Sequence, residues 1–288
     1  MSINRRNFLK TGGLLASGVV LSSKTIQAFS GDIITKNFGL QLYTLRADLP
    51  KDPKGIIKQV AGFGYNQIEG YEGAQGLFWG MTNTDFKKYV EDLGMTFISS
   101  HCDINKNFEQ KAAEAGAIGM KYLICPYLGA QKTADEYKKA ADKFNQCGDI
   151  CKKNGLKFAY HNHGYTFEPL NGVMPQDILM ENTDPELVQF EMDMYWVVTA
   201  GEDPVKWLEK YPNRFTLCHV KDREKNAPAG DGDASCDLGK GSIDYRKILP
   251  LAKKKGTYYF VVEQEKYTGS TPLKSAQAGA AYMKDLVL

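Results

Sequence analysis

The chain has 288 residues, of which 43% are hydrophobic and 24% are charged, as in an ordinary globular protein. Its formal net charge of +2 gives no basic surplus of the kind that nucleic-acid-binding proteins carry. The length suits one large α/β domain with a single hydrophobic core.

The first residues differ from the rest of the chain. Arg5 and Arg6 precede a Phe-Leu-Lys sequence, and a short apolar stretch follows at 14–21. This pattern resembles a twin-arginine export signal, and the apolar stretch is too short to span a bilayer. We therefore predict three segments, namely a signal peptide at 1–28, a linker at 29–36 and a catalytic domain at 37–288.

Removal of the predicted signal peptide changes the charge of the protein. Four basic residues and no acidic residue would be lost, which leaves 32 basic and 34 acidic residues and a net charge of −2. We expect a periplasmic protein, exported through the twin-arginine pathway, with no stable membrane anchor after cleavage and no nucleic-acid partner. The sequence leaves the oligomeric state open, a homo-oligomer included.

Short apolar runs alternate with longer stretches of helical period, such as Pro53–Gly62 and Thr133–Asn154. Such alternation is typical of parallel βαβ units, and eight units predict a single (β/α)₈ TIM barrel. A Gly- and Asp-rich segment, Ala227–Asp244, is predicted to be a loop over the barrel mouth. The predicted strands are Phe38–Tyr43, Gln67–Tyr71, Thr96–His101, Tyr122–Cys125, Lys157–His163, Val188–Asp193, Phe215–Val220 and Tyr258–Glu263.

Histidines and carboxylates are concentrated at the C-terminal ends of the predicted strands. In a parallel barrel these ends form one face, where active sites are built. So many polar groups buried together without a counter-ion would be unfavourable, and a bound divalent metal ion resolves this. The residues are His101, His161, His163 and His219, which are all the histidines of the chain, together with Glu69, Glu191, Asp193, Glu263 and Glu265.

Five segments at these strand ends resemble the xylose isomerase-like barrel superfamily. Its members include sugar phosphate isomerases/epimerases, ketose 3-epimerases, inosose dehydratase and relatives of apurinic endonucleases. The resemblance covers roughly residues 37–288 and implies a TIM barrel that acts on a sugar. The segments are Leu40–Arg46, Tyr160–Gly164, Met192–Asp193, Cys218–Asp222 and Val262–Glu265.

The resemblance also implies a metal site. The epimerases of this family hold one divalent ion with Glu, Asp, His and Glu from strands five to eight, which correspond here to His161, Asp193, His219 and Glu263. The histidine at the first of these positions departs from the epimerases and matches the inosose dehydratase-like branch. His163 competes with His161 for this position, and the metal is Mn²⁺, Zn²⁺, Co²⁺ or Mg²⁺.

Other roles follow from the predicted positions at the mouth. His163 and Glu263 are candidates for moving a proton, and Lys221 for polarising a sugar oxygen. The candidate substrate-binding residues are Glu69, His101, Arg46, Lys221 and Trp196, for which a structural role is the alternative. Glu69 and His101 could also donate a metal ligand, and Glu265 is expected to lie behind these residues.

The predicted chemistry is proton abstraction next to a carbonyl, with an enediolate stabilised by the metal. Reprotonation would make the chain a sugar isomerase or epimerase, which is the first hypothesis. Expulsion of a β-substituent from a keto-sugar, such as a 3-keto-glycoside or an inosose, would make it a lyase, which is the alternative. A sugar-binding protein without activity is disfavoured by the complete set Asp193, His219 and Glu263.

Overall fold

The computed structural model of the chain describes residues 37–286. The predicted signal peptide and linker lie outside the described residues. Among the residues described, no helix combines the length and apolar character that crossing a bilayer requires.

Eight parallel strands close into a barrel, which confirms the predicted fold. The first and last strands pair in parallel, with Gly39 opposite Val261 and Leu40 opposite Val262. The barrel strands are β1 (Gly39–Gln41), β2 (Gln67–Tyr71), β3 (Thr96–His101), β4 (Tyr122–Cys125), β5 (Lys157–His161), β6 (Val188–Asp193), β7 (Phe215–Val220) and β10 (Tyr259–Val262).

Helices cover the outside of the barrel, and local sequence fixes several of their ends. In α4, Thr133 and Glu136 form a capping box. The Asp52 side chain accepts the N–H of Gly55 at the start of α1, which ends at Gly64 with φ 98°. The helices are α1 (Pro53–Phe63), α2 (Asn83–Asp92), α3 (Phe108–Ala117), α4 (Ala134–Lys153), α5 (Pro175–Glu181), α6 (Met194–Thr199), α7 (Pro204–Lys210), α8 (Tyr245–Lys254) and α9 (Pro272–Asp285).

Three predicted strands, Phe38–Tyr43, Lys157–His163 and Tyr258–Glu263, are shorter in the structure, and 3₁₀ turns follow the first two. Strand β1 ends at Gln41, whose side chain accepts the N–H of Tyr43 at the start of the turn Leu42–Leu45. Strand β5 ends at His161, and His163 precedes a second turn. His163 therefore lies beyond the strand, where alternation no longer fixes its direction.

The segment predicted as a loop contains part of a small antiparallel ribbon. Strands β8 (Asp222–Arg223) and β9 (Ser235–Cys236) pair with each other. The Asp222 carboxylate accepts the N–H groups of Gly239, Gly241 and Ile243, at 2.9–3.1 Å. One buried side chain thus organises the chain that leads from β9 to α8.

Two helical glycines allow a test of the packing outside the barrel. A Cβ at Gly148 in α4 would lie 2.7 Å from the Cβ and carbonyl oxygen of Leu187, whereas a Cβ at Gly62 in α1 meets nothing within 4 Å. We expect Gly148→Ala to lower the free energy of unfolding by about 1 kcal/mol, since a clash of about 1–3 kcal/mol outweighs the helix propensity gained. Gly62→Ala should raise it by up to about 1 kcal/mol. Urea unfolding measures both, and changes of the same sign would contradict this packing.

Candidate active site

The four residues predicted as metal ligands come together at the mouth of the barrel. His161 ends β5, Asp193 ends β6, His219 lies on β7 and Glu263 follows β10. These strands are neighbours in the barrel, and Asp193 pairs with His219. One nitrogen or oxygen atom from each residue lies within 4.8 Å of the others, and all four residues are buried. We call these four residues the ligand set.

The atoms that face each other in the ligand set are not satisfied by hydrogen bonds. His161 Nε2 lies 3.4 Å from Asp193 Oδ2, which is 3.6 Å from His219 Nδ1. Within residues 37–286 these three buried atoms have no hydrogen-bond partner. Burying acceptor atoms without a partner raises the free energy of the folded protein, so the arrangement fits a cation bound between them.

Each histidine of the ligand set is oriented through its other ring nitrogen. His219 Nε2 lies 2.8 Å from Glu69 Oε1, and His161 Nδ1 lies 3.1 Å from the carbonyl oxygen of Pro126. Such contacts fix the tautomer and point the remaining nitrogen at a metal. Burial lowers the pKa of His219, but the charges of Glu191 and Glu263 outweigh burial and raise it well above its usual value. The cluster therefore attracts positive charge.

Glu69 lies below the pocket. Substrate binding, metal ligation and a structural role are all open for it from the sequence; in the structure it is fully buried, and its carboxylate accepts Gln41 Nε2 at 2.7 Å and Ser99 Oγ at 2.5 Å as well as His219. Burial raises the pKa of Glu69, but His101, His219 and Ser99 together lower it to about 2. Glu69 is thus an anionic residue that positions His219 from below the pocket.

His101 contacts both the buried carboxylates below the pocket and the pocket itself. Its Nε2 lies 2.8 Å from Glu191 Oε2 and 3.4 Å from Glu69 Oε1, while the residue also lines the pocket. Burial and the neighbouring Glu69 charge raise the pKa of Glu191 well above its usual value. Glu191 therefore retains a proton more readily than Glu69, and with Glu69, His101 and His219 it forms a second buried group whose nitrogen and oxygen atoms lie within 4.8 Å of one another.

Lys221 departs from its predicted role. Its side chain is fully buried, and its Nζ contacts Glu265 and lies 3.4 Å from Glu263 Oε2 and 3.8 Å from Asp193 Oδ2. Burial lowers the pKa of Lys221, but the three carboxylates outweigh burial and raise it. Lys221 is thus a buried, charged residue that balances the three carboxylates.

Arg46 braces a loop, which was the alternative to substrate binding. Its guanidinium donates to the carbonyl oxygen of Glu265 at 2.9 Å and to Tyr267 Oη at 3.0 Å. It also covers the ring of Tyr43 at 4.7 Å. These contacts hold the segment after β10 against the segment after β1.

A pocket of about 590 Å³ lies over the ligand set. His163 and Trp196 line it, with ring centroids 5.1 Å apart. His163 Nδ1 has no hydrogen-bond partner among the described residues. Burial, followed by the neighbouring His161, lowers the pKa of His163 to about 3, so its imidazole is neutral.

Several residues that line the pocket were missed in the sequence. Tyr43, Glu72, Asp103 and Tyr127 all contribute to its surface. They lie just beyond the ends of strands β1 to β4, and none belongs to the set of histidines and carboxylates named from the sequence. Position after a strand end is the one signal that could have identified them.

Comparison with known proteins identifies the family. A family model described as a xylose isomerase-like TIM barrel matches residues 57–286. The chain belongs to this family. Inosose dehydratase from Clostridium tetani is 31% identical over 170 residues, which cover 53% of this chain and 55% of that protein. The chain therefore spans about half the length of the curated relatives it matches.

Solved structures of the family extend the comparison over nearly the whole barrel. A crystal structure of a sugar phosphate isomerase/epimerase from Parabacteroides distasonis is 30% identical, with a TM-score of 0.74. The match covers 86% of this chain and 97% of that one. The IOLI protein with a bound zinc atom is 17% identical, with a TM-score of 0.69 over 87% of this chain and 98% of that one, and shows the shared fold alone.

Proposed function

We propose that the chain is a metal-dependent carbon–oxygen lyase that eliminates a β-substituent from a keto-sugar. The observation that carries this proposal is the imidazole of His163, which lines the pocket over a ligand set of two histidines and two carboxylates and whose Nδ1 has no hydrogen-bond partner among the described residues. The likeness to inosose dehydratase supports elimination over isomerisation. A 3-keto-glycoside and an inosose are the two substrates that fit this chemistry.

The ligand set suits a divalent metal ion. His161 and His219 would contribute nitrogen, and Asp193 and Glu263 oxygen, a mixture that favours Zn²⁺, Mn²⁺ or Co²⁺ over Mg²⁺. A bound ion would supply a Lewis acid for the carbonyl oxygen of the substrate. The zinc atom in the IOLI structure is bound by a protein with the same fold.

His163 is the proposed base. It would take the proton from the carbon next to the carbonyl, and the electron pair of that C–H bond would form a C=C bond as the β C–O bond breaks. The departing oxygen would then take the proton from His163. The products are an unsaturated keto-sugar and an alcohol, or water in a dehydration, so one base serves both proton transfers.

An isomerase or epimerase is the competing function, and the Parabacteroides distasonis relative favours it. A two-carboxylate epimerisation would need a pair of carboxylates free to exchange protons. Here the first of the two positions is His161, and the second, Glu263, is held below its usual pKa, because Lys221 and His219 outweigh the effect of burial. Elimination through His163 needs one base and no such pair of carboxylates.

The test is ¹H NMR in D₂O with the metal-loaded protein and a panel of keto-sugars, inososes and 3-keto-glycosides. We expect a new vinylic proton and release of the leaving group, both abolished by a chelator. Deuterium incorporation into an intact sugar would instead identify an epimerase or isomerase. Binding without any reaction would identify a sugar-binding protein.

Glu69→Gln tests how the metal site is oriented. We expect this change to weaken metal binding about 10–100-fold, because a neutral amide holds the His219 ring less firmly than a carboxylate. Calorimetric titration of Zn²⁺ into chelator-treated protein measures the affinity. Glu72→Gln is the matched control, since Glu72 lines the pocket and does not contact the ligand set. Equal affinities in both variants would contradict the role of Glu69.

A further inference from the structure

The mouth of the barrel divides into two halves of different chemistry. The ligand set comes from the neighbouring strands β5, β6, β7 and β10. The other half, formed by the ends of β1 to β4, presents the rings of Tyr43, Tyr71 and Tyr127 to the same pocket. The proposed chemistry uses residues of the first half, together with His163. It leaves without a role the three tyrosines Tyr43, Tyr71 and Tyr127, which we call the aromatic half.

The aromatic half contains large hydrophobic side chains that are unusually exposed. Within residues 37–286 four large hydrophobic residues are exposed, and two of them, Tyr43 at 38% and Tyr127 at 63%, line this one pocket. The hydroxyl groups of Tyr43, Tyr71 and Tyr127 make no hydrogen bond to other described residues. Exposed aromatic rings in a pocket provide flat apolar faces and free polar tips, which is what a sugar or aryl ring requires.

The exposed rings are also held in place. Tyr127 stands perpendicular to the ring of His163 at 5.1 Å and to that of Tyr165 at 5.6 Å. Tyr43 stands perpendicular to Tyr71 at 5.2 Å, and the guanidinium of Arg46 lies 4.7 Å from the centre of its ring. Rings fixed before binding lose little conformational entropy when a ligand packs against them.

We propose that the aromatic half binds the leaving group of the substrate, and that this group is a ring. The inference rests on the proposed lyase function and narrows its substrate to a keto-glycoside with a sugar or aryl aglycone. Tyr127 contacts His163, so a group attached next to the carbon that His163 deprotonates lies beside Tyr127. A dehydration would expel only water and leave the aromatic half empty.

The experiment compares glycosides that differ only in the aglycone. Binding is measured by calorimetric titration of methyl, phenyl and glucosyl β-glucosides, whose intact 3-hydroxyl prevents elimination, into the protein. Turnover is measured as kcat/KM with the corresponding 3-keto compounds. We expect the protein to prefer either ring aglycone over methyl by about tenfold, a factor typical of one aromatic contact. The phenyl and glucosyl arms distinguish an aryl from a sugar aglycone.

Variants at one position and a matched control test the assignment. Tyr127→Ala should reduce the ring-to-methyl preference to near one, and Tyr127→Phe should retain it because the ring face remains. Tyr258→Ala is the control, since Tyr258 is 68% exposed and precedes β10 at the opposite end of the barrel.

The possible failures of the two proposals are distinct. A wild-type protein that binds and converts methyl and ring glycosides equally well would overturn the ring subsite while leaving elimination in place. Ring preference in the titrations without any elimination product would overturn the lyase proposal and support the subsite. A loss of preference in Tyr258→Ala equal to that in Tyr127→Ala would also overturn the assignment.

Discussion

His219→Ala should abolish metal binding and lower turnover by at least about 10³-fold while the barrel still folds. The change removes the Nδ1 atom that faces Asp193 Oδ2 and Glu263 Oε2 at 3.6 and 3.2 Å. Without the ion the carbonyl loses its Lewis acid, which is worth several kcal/mol in the transition state. Metal content, steady-state kinetics and circular dichroism measure the three parts of this prediction.

A neighbouring residue provides the control for His219→Ala. Cys218 is equally buried, and strand alternation directs its side chain to the outer side of β7. Cys218→Ala should therefore cost some stability without loss of metal. His219→Ala with full metal content and normal turnover would contradict the assigned ligand set.

His163→Gln should separate metal binding from proton transfer. Because His163 lies outside the ligand set, the variant should keep the metal affinity of the wild type. Its turnover should fall about 10²–10⁴-fold, the range expected for loss of a general base. Stopped-flow absorbance of the unsaturated product, beside calorimetric metal titration, measures both quantities. An unchanged turnover would show that His163 is not the base. A loss of metal binding would show instead that His163 is a metal ligand.

The fold was predictable because parallel barrels carry a strong periodic signal. Runs such as Tyr122–Cys125 are apolar throughout, as expected for strands buried on both faces. The convergence of Asp193 and His219 was predictable for the same reason, because the C-terminal ends of parallel strands must meet at one face.

The depth and direction of individual side chains were not predictable. Glu69 was expected at a strand end, but it is the middle residue of β2 and pairs in register with Gln41 and Ser99, which hold it one layer below the pocket. Lys221 follows the last residue of β7, where three carboxylates, not strand alternation, determine its direction. Tyr127 follows β4, and loop geometry alone brings its ring beside His163.

Metal analysis of the purified protein tests the central claim most directly. Protein prepared without added metal or chelator is analysed by inductively coupled plasma mass spectrometry, then stripped with a chelator and titrated with Zn²⁺, Mn²⁺ and Co²⁺. We expect about one equivalent of a divalent transition metal per chain, complete loss of turnover on stripping and its recovery on addition of metal. A protein that contains no such metal and whose turnover is indifferent to chelators would contradict the central claim.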